Sequence, residues 1–284
     1  MVNFMVNWSQ IYRGLNLNPV PFHDRCVILK QKSTTSLAES EKPKNFKVKT
    51  IPAGEKAIPE FASVMGRLMG NVVTAIPFTR KSLKKMKNVA TIDLPEGEFI
   101  STDDLLTAHI WRSLIVVRKG QGLASYNDKV TTLIRACNFR KRLELDPGYA
   151  ANGVGQVTTE LTVGEILTMK PLDVARNLRG SLTAHTRADV TARTSWLKNQ
   201  QDKGFQTKTE FDPDALSFVV SSWGFSWWEA QFGDSIPLCF DHGAHVPIVS
   251  VIVPRLNGDG VVVYASGKEE ACTAFANAMP PQAC

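Results

Sequence analysis

The sequence predicts an α/β class fold of the mixed α+β kind, and three observations carry the prediction. Short β-branched runs occur at 216–220, 248–253 and 260–264, each the length of a strand. A long segment from Ser101 to Gly120 has helical periodicity. Strand and helix signals are interspersed without the strict alternation of a parallel α/β repeat.

Taken in order, residues 1–14 are aromatic-rich, and Trp8, Ile11 and Tyr12 follow i, i+3, i+4 spacing, which predicts a helix. Pro19 and Pro21 mark a loop, and Cys26 to Leu29 is a short strand candidate. Residues 31–60 are polar and without period, expected as a linker or long surface loop. Phe61 to Phe78 is expected as strand. Thr79 to Lys87 is a basic helical turn with five cations in eight residues.

Ser101 and Thr102 can cap the next helix, and Asp103 and Asp104 sit in its first turn, where the helix dipole favours acids. Leu105, Ala108, Trp111 and Ile115 form one apolar row, and Leu106, Ile110, Leu114 and Val117 an adjacent one, so a wide face is buried. Gly120 is the expected stop. Val130 to Cys137 reads as a strand, followed by a turn-rich segment to Gly153. Pro171 opens a helix expected to run to about Lys198. Asn257-Gly258-Asp259-Gly260 joins the last two β runs as a hairpin, and a final helix covers Lys268 to Ala278.

Composition narrows the function classes. With 284 residues, 43% hydrophobic and 21% charged, the chain is an ordinary globular protein of one large domain or two modest ones. No apolar run reaches the roughly 18 residues of a membrane span, and the N-terminus does not read as a signal peptide. Five scattered cysteines without CxxC spacing argue against a disulfide framework or a metal site and point to a reducing, cytoplasmic setting. The charge of +6 suits an anionic small ligand; nucleic acid is disfavoured because the basic residues are not interleaved with aromatics.

The densest aromatic stretch is Ser222 to Pro237, which holds Trp223, Trp227 and Trp228, half of the six tryptophans. Its Ser222-Trp223, Phe232-Gly233 and Pro237 resemble the late signature of the plant and fungal CoA-dependent BAHD acyltransferases, a Ser-Trp pair followed by Asp-Phe-Gly-Trp-Gly and Pro. Gln231, Asp234 and Ser235 depart from that pattern. Ile100 to Arg112 resembles the family's capped helix closely, and Asn138 to Tyr149 with Gly153 resembles its Arg-x-Arg…Pro…Tyr loop. Trp8 to Arg25 and Asp259 to Ala278 are similar to further segments in the same order.

The resemblance implies a chloramphenicol-acetyltransferase-like two-lobe fold, here one complete lobe plus part of the other. Residues 1–45 and 210–240 would belong to the N-terminal lobe, 46–74 would be linker, and 75–209 with 241–284 the C-terminal lobe. It implies acyl transfer from acyl-CoA, a co-substrate with no permanently bound cofactor, to a small hydroxyl or amine acceptor by a monomer. The alternative is a non-catalytic CoA-binding or interaction protein that keeps the fold.

The site residues it implies are these. Trp223 is the candidate oxyanion donor, with a core tryptophan as the other reading. Ser82, Lys84, Lys85, Arg140, Arg142 and Ser222 are the candidate CoA-binding residues, with a solvated face as the other reading for the lysines. Gln231, Phe232, Gly233, Asp234 and Ser235 form the structural motif. In the family the matching arginine of Arg140 pairs with the motif Asp, which Gln231 replaces.

The family's general base lies in a His-x-x-x-Asp that should precede Trp8; only seven residues do, and none is His. The expectation is therefore a chain matching the C-terminal two-thirds of such an enzyme. A shortened reading frame is the first explanation, a true pseudo-enzyme the second, and neither would turn over alone. His185 with Asp189 satisfies the pattern but is expected on a helix, as an ordinary helix histidine.

Overall fold

The structure is a computed structural model that describes residues 2–24, 26–30, 41–52, 70–92, 94–120, 126–209, 216–224, 227–237, 249–255 and 258–280. Its centre is a six-stranded mixed sheet built from β2 (Val72–Phe78), β3 (Val130–Asn138), β4 (Val154–Thr162), β6 (Ser217–Ser222), β7 (Val249–Pro254) and β8 (Val261–Gly267). The strand order is β2-β8-β7-β6-β3-β4. β6 runs parallel to both of its neighbours, β3 and β7, while the remaining pairs are antiparallel. A separate two-stranded sheet pairs β1 (Val48–Pro52) with β5 (Phe205–Thr209).

The helices are α1 (Val2–Tyr12), α2 (Cys26–Leu29), α3 (Arg80–Ala90), α4 (Thr102–Gly120), α5 (Val163–Thr168), α6 (Pro171–Thr183), α7 (Arg187–Asp202) and α8 (Glu269–Ala278), with a short 3-10 turn at Trp227–Glu229. α4 is the spine of the helical layer. It packs on α6 and α8, and its two apolar rows bury Leu105, Leu106, Ile110 and Trp111 to 1% exposure or less. The same core takes in Leu133, Phe218, Ile252 and Val263 from the sheet. Trp111 carries a polar atom into that core and satisfies it: the indole N–H donates to Thr131 Oγ1 (3.0 Å), whose hydroxyl donates to the Leu216 carbonyl (2.8 Å).

Three expectations need correction. Cys26 to Leu29 is one helical turn and not a strand, because the Asp24 carboxylate accepts from the Cys26 N–H (2.8 Å) and starts a turn. Within 31–60 and 46–74, Val48–Pro52 forms β1 and β2 begins at Val72; both are short strands whose partners lie far along the chain. Of the strand expected over 61–78, residues 61–69 lie outside the described residues.

The helix expected from Pro171 to Lys198 is two helices. Thr186 stops the first by capping the second: its hydroxyl accepts from the Asp189 N–H, and the Asp189 carboxylate accepts from the Thr186 N–H (2.8 Å). β6 falls inside 210–240 and is a central strand beside β3 and β7. Among the described residues of that stretch, the later part meets α1, where Phe232 packs its ring on Trp8 (5.1 Å) and Tyr12 (5.6 Å).

Candidate functional site

The ends of α3, α4, β6 and the β7–β8 hairpin enclose a cleft of about 520 Å³. Local sequence sets each wall. α3 begins at the Thr79 cap, whose hydroxyl oxygen accepts from the Ser82 N–H (3.1 Å) while Ser82 Oγ donates back to the Thr79 carbonyl (2.9 Å). From this start Arg80, Lys84 and Lys87 fall at i, i+4 and i+7, one face of the helix, and all three line the cleft. Arg80 is fixed there by two bonds to the Gly258 carbonyl, from Nη2 (2.7 Å) and Nε (3.2 Å). Lys87 Nζ lies 5.3 Å from the centre of the Phe99 ring.

The hairpin closes against this helix through a glycine. Gly260 has φ +96°, and a Cβ there would lie 1.9 Å from the Phe78 carbonyl oxygen, so no other residue allows the approach.

α4 supplies Thr102, Asp103 and Leu106. Its start is held by a charged network of high burial. Ser101 and Asp104 exchange capping bonds (Ser101 N–H to Oδ2, 2.9 Å; Asp104 N–H to Ser101 Oγ, 3.1 Å). Asp104, wholly buried, also accepts from Arg135 Nη1 (2.9 Å) and from Arg179 Nε (2.9 Å) and Nη2. Arg135 Nη2 donates to Asp103 Oδ2 (2.5 Å). Burial alone would raise the Asp104 pKa; the Ser101 bonds and the two guanidinium groups outweigh it and hold the carboxyl below its ordinary range.

Of the residues singled out from sequence, the cleft brings together Lys84 and Ser222. Ser82 is buried and spent on the α3 cap. Lys85 is exposed and points off the lining face. Arg140 and Arg142 act elsewhere, on backbone carbonyls: Arg140 Nη2 donates to Ala151 (2.6 Å) and Arg142 Nη2 to Leu182 (3.0 Å). They hold the 138–151 loop and the end of α6.

Trp223 continues the end of β6, its N–H donating to the Ile252 carbonyl (2.8 Å), but its indole N–H turns to Ser221 Oγ (2.9 Å). Gln231 does not meet Arg140; its Oε1 accepts from Arg13 Nη1 (3.3 Å). Phe232, Gly233, Asp234 and Ser235 form a tight turn, with Phe232 bridged to Ser235 and Gly233 at φ +66°.

Arg80, Lys87, Thr102 and Asp103 were not singled out as ligand contacts. The helical phase of the basic turn held the signal for the first two, since 80, 84 and 87 share one face while 81 and 85 share another. The single His-x-x-x-Asp of the sequence lies away from the cleft. His185 sits between α6 and α7, stacked on Phe139 (6.0 Å, 10°), and its partner Asp189 is the N3 acid of the α7 capping box, bonded to Thr186. Burial first, then Arg193, lowers the His185 pKa against the smaller opposing pull of Asp189.

The cleft can hold an anion on the α3 side and a longer uncharged arm along Leu83, Leu106, Ile252 and Val261. The chain is 25% identical over 276 residues to agmatine coumaroyltransferase-1 of Hordeum vulgare, covering 92% of this chain and 58% of that protein. TRI101 of F. graminearum, solved with coenzyme A and deoxynivalenol, superposes with a TM-score of 0.74 at 22% identity, covering 96% of this chain and 61% of that one. Vinorine synthase superposes with a TM-score of 0.63 at 17% identity, covering 98% and 57%.

The chain thus spans about three-fifths of the proteins it matches, and it shares the CoA-acyltransferase fold. The profile of the Transferase family matches residues 1–280, so the order of segments first seen from Trp8 to Ala278 is that of a BAHD acyltransferase, and to that family the chain belongs.

Proposed function

We propose that this chain carries the acyl-CoA-binding part of a BAHD acyltransferase, which passes an acyl group from the thioester to the hydroxyl or amine of a small acceptor. The single observation that carries the reading is the phase of α3: Arg80, Lys84 and Lys87 project from one face into a cleft whose remaining wall is largely apolar. Phosphates suit the cationic face, and an acyl-bearing arm suits the rest. Relatives named for coumaroyl transfer to agmatine and a neighbour solved with coenzyme A support the same class.

The chemistry asks for a base at the attacking atom and a donor at the thioester oxygen. Among the described residues no histidine lines the cleft. His185 is assigned no part in the reaction, because its imidazole is buried against Phe139 and its Asp189 is committed to a helix cap. Trp223 stays the candidate oxyanion donor on this reading, since it follows the cleft residue Ser222; it must release Ser221 Oγ to act.

A cytoplasmic monomer is the proposed setting; the free thiols of Cys26, Cys137 and Cys272 support a reducing compartment. No described helix is long and apolar enough to cross a membrane. The two-lobe division, 1–45 with 210–240 against 75–209 with 241–284, belongs to the same proposal.

Calorimetric titration with CoA tests the reading. Lys84→Ala is expected to weaken binding about five- to tenfold, the loss of one charge-assisted contact, while Lys85→Ala leaves it unchanged. Equal losses in both variants would return the lysine run to a general electrostatic role. No binding by the unaltered chain would remove the reading.

A further inference from the structure

The cleft holds one acid among its cations. The first turn of α3 has Arg80 and Lys81 and no acid, so the positive end of its dipole is reinforced. The first turn of α4 has Asp103 and Asp104, so the corresponding end there is offset. An anionic ligand is therefore drawn to the α3 side and turned away from the α4 side. Asp104 is wholly buried and occupied by Ser101, Arg135 and Arg179.

Asp103 differs. Its Oδ2 accepts from Arg135 (2.5 Å), its side chain is 33% exposed, and its Oδ1 takes no hydrogen bond from a described residue. The cleft residues of its own helix and of β6 and β7 are uncharged: Thr102, Leu106, Ser222 and Ile252.

We propose that Asp103 is a specificity-determining residue that accepts an amide N–H from the pantetheine arm of the acyl donor. The proposal rests on the acyl-CoA reading above and adds how the cleft orients that ligand. CoA is a phosphate-rich nucleotide joined to an arm that carries two amide N–H donors. Placed with its phosphates at Arg80 and Lys84, it brings that arm past α4. A carboxylate there offers a charge-assisted acceptor to an amide and repels any ligand that would put phosphate in its place. Arg135 holds the carboxylate through Oδ2 (2.5 Å), which leaves Oδ1 of this cleft-lining residue to accept from a ligand. The acid thus reads the direction of the donor, phosphates towards α3 and thioester arm towards α4.

The test compares two ligands on the same chain: CoA, and adenosine 3′,5′-bisphosphate, which has nucleotide phosphates and no amide arm. Asp103→Ala is expected to weaken CoA about tenfold, or about 1.4 kcal/mol, and to leave the bisphosphate unchanged or slightly tighter. Asp103→Asn, which keeps an oxygen acceptor, is expected to hold CoA within about threefold of the unaltered chain. A parallel change for both ligands, or unchanged CoA binding by Asp103→Ala, overturns the proposal.

A measurement on the unaltered chain covers the case in which Asp103→Ala does not fold. CoA with its pantetheine amide nitrogens methylated should bind about tenfold more weakly than CoA, and equal binding overturns the proposal. If the unaltered chain binds the bisphosphate as tightly as CoA, the Asp103 role alone falls. If it binds neither, the acyl-CoA reading itself falls.

Discussion

Asp104 shows how a residue can be half legible. Its place in a first helical turn beside a Ser cap was readable from local sequence, and the capping bonds are there. Its other partners, Arg135 and Arg179, lie 31 and 75 positions away and carried no local signal. A buried carboxylate with two guanidinium partners leaves uncompensated charge when it is cut back, so Asp104→Ala should lower unfolding free energy by about 3–5 kcal/mol. A denaturant titration measures this, and a loss under about 1 kcal/mol would show that the network does not hold the start of α4.

His185 gives a pH dependence with a definite sign. In the fold its pKa lies below the ordinary value of 6.5, chiefly through burial and secondarily through Arg193. The unfolded chain therefore takes up a proton first as pH drops. The stability tied to the neutral ring is present above about 6.5 and is lost as pH falls below it towards the folded value. His109, also lowered by burial and by Arg112, acts in the same direction. His185→Phe keeps a ring against Phe139 and cannot titrate. Its urea midpoint should fall less between neutral and mildly acidic pH than that of the unaltered chain, and an identical fall would contradict the assignment.

At the scale of elements, two helices mark where sequence reading succeeds and fails. The phase of α3 was available from spacing alone, yet Ser82 and Lys85 were grouped with Lys84 because they are neighbours in sequence. The helix turns them to other faces, and the structure gives Ser82 to the cap. The break between α6 and α7 was hidden because no Gly or Pro marks Ala184-His185-Thr186. The signal was the Thr186…Asp189 capping box, whose acid is also the Asp of the His185-x-x-x-Asp189 pattern. Thr186→Ala should therefore cost about 1 kcal/mol of stability and leave CoA affinity unchanged. A loss of CoA binding without loss of stability would tie this pair to the site after all.

For the whole molecule, the sheet order could not be read from the chain. Strand β6 looks like any β-branched run. Only pairing shows that it enters between β3 and β7 and carries Ser222 and Trp223 to the cleft end of the sheet. Residue patterns placed most helices and strands, because apolar periodicity and caps are local. They did not place β1, β4 or β5: Val154–Thr162 mixes three Thr with Gly155, Gln156 and Glu160, and its pairing with β3 is what makes it a strand.

On α1, Phe4, Trp8, Ile11 and Tyr12 are more than half exposed, while Phe232 clamps one side of that row. The cleft, by contrast, is built entirely from elements of the six-stranded sheet and the helices that lie on it.

The central claim is that this cleft seats the acyl donor, and a crystal structure of the chain grown with CoA tests it most directly. The account predicts density between α3 and α4, with phosphate oxygens in hydrogen-bonding reach of Arg80 and Lys84 and the pantetheine arm running past Asp103 and Ser222. Density seated instead against Arg140 and Arg142, or a cleft without CoA at saturating concentration, would contradict it.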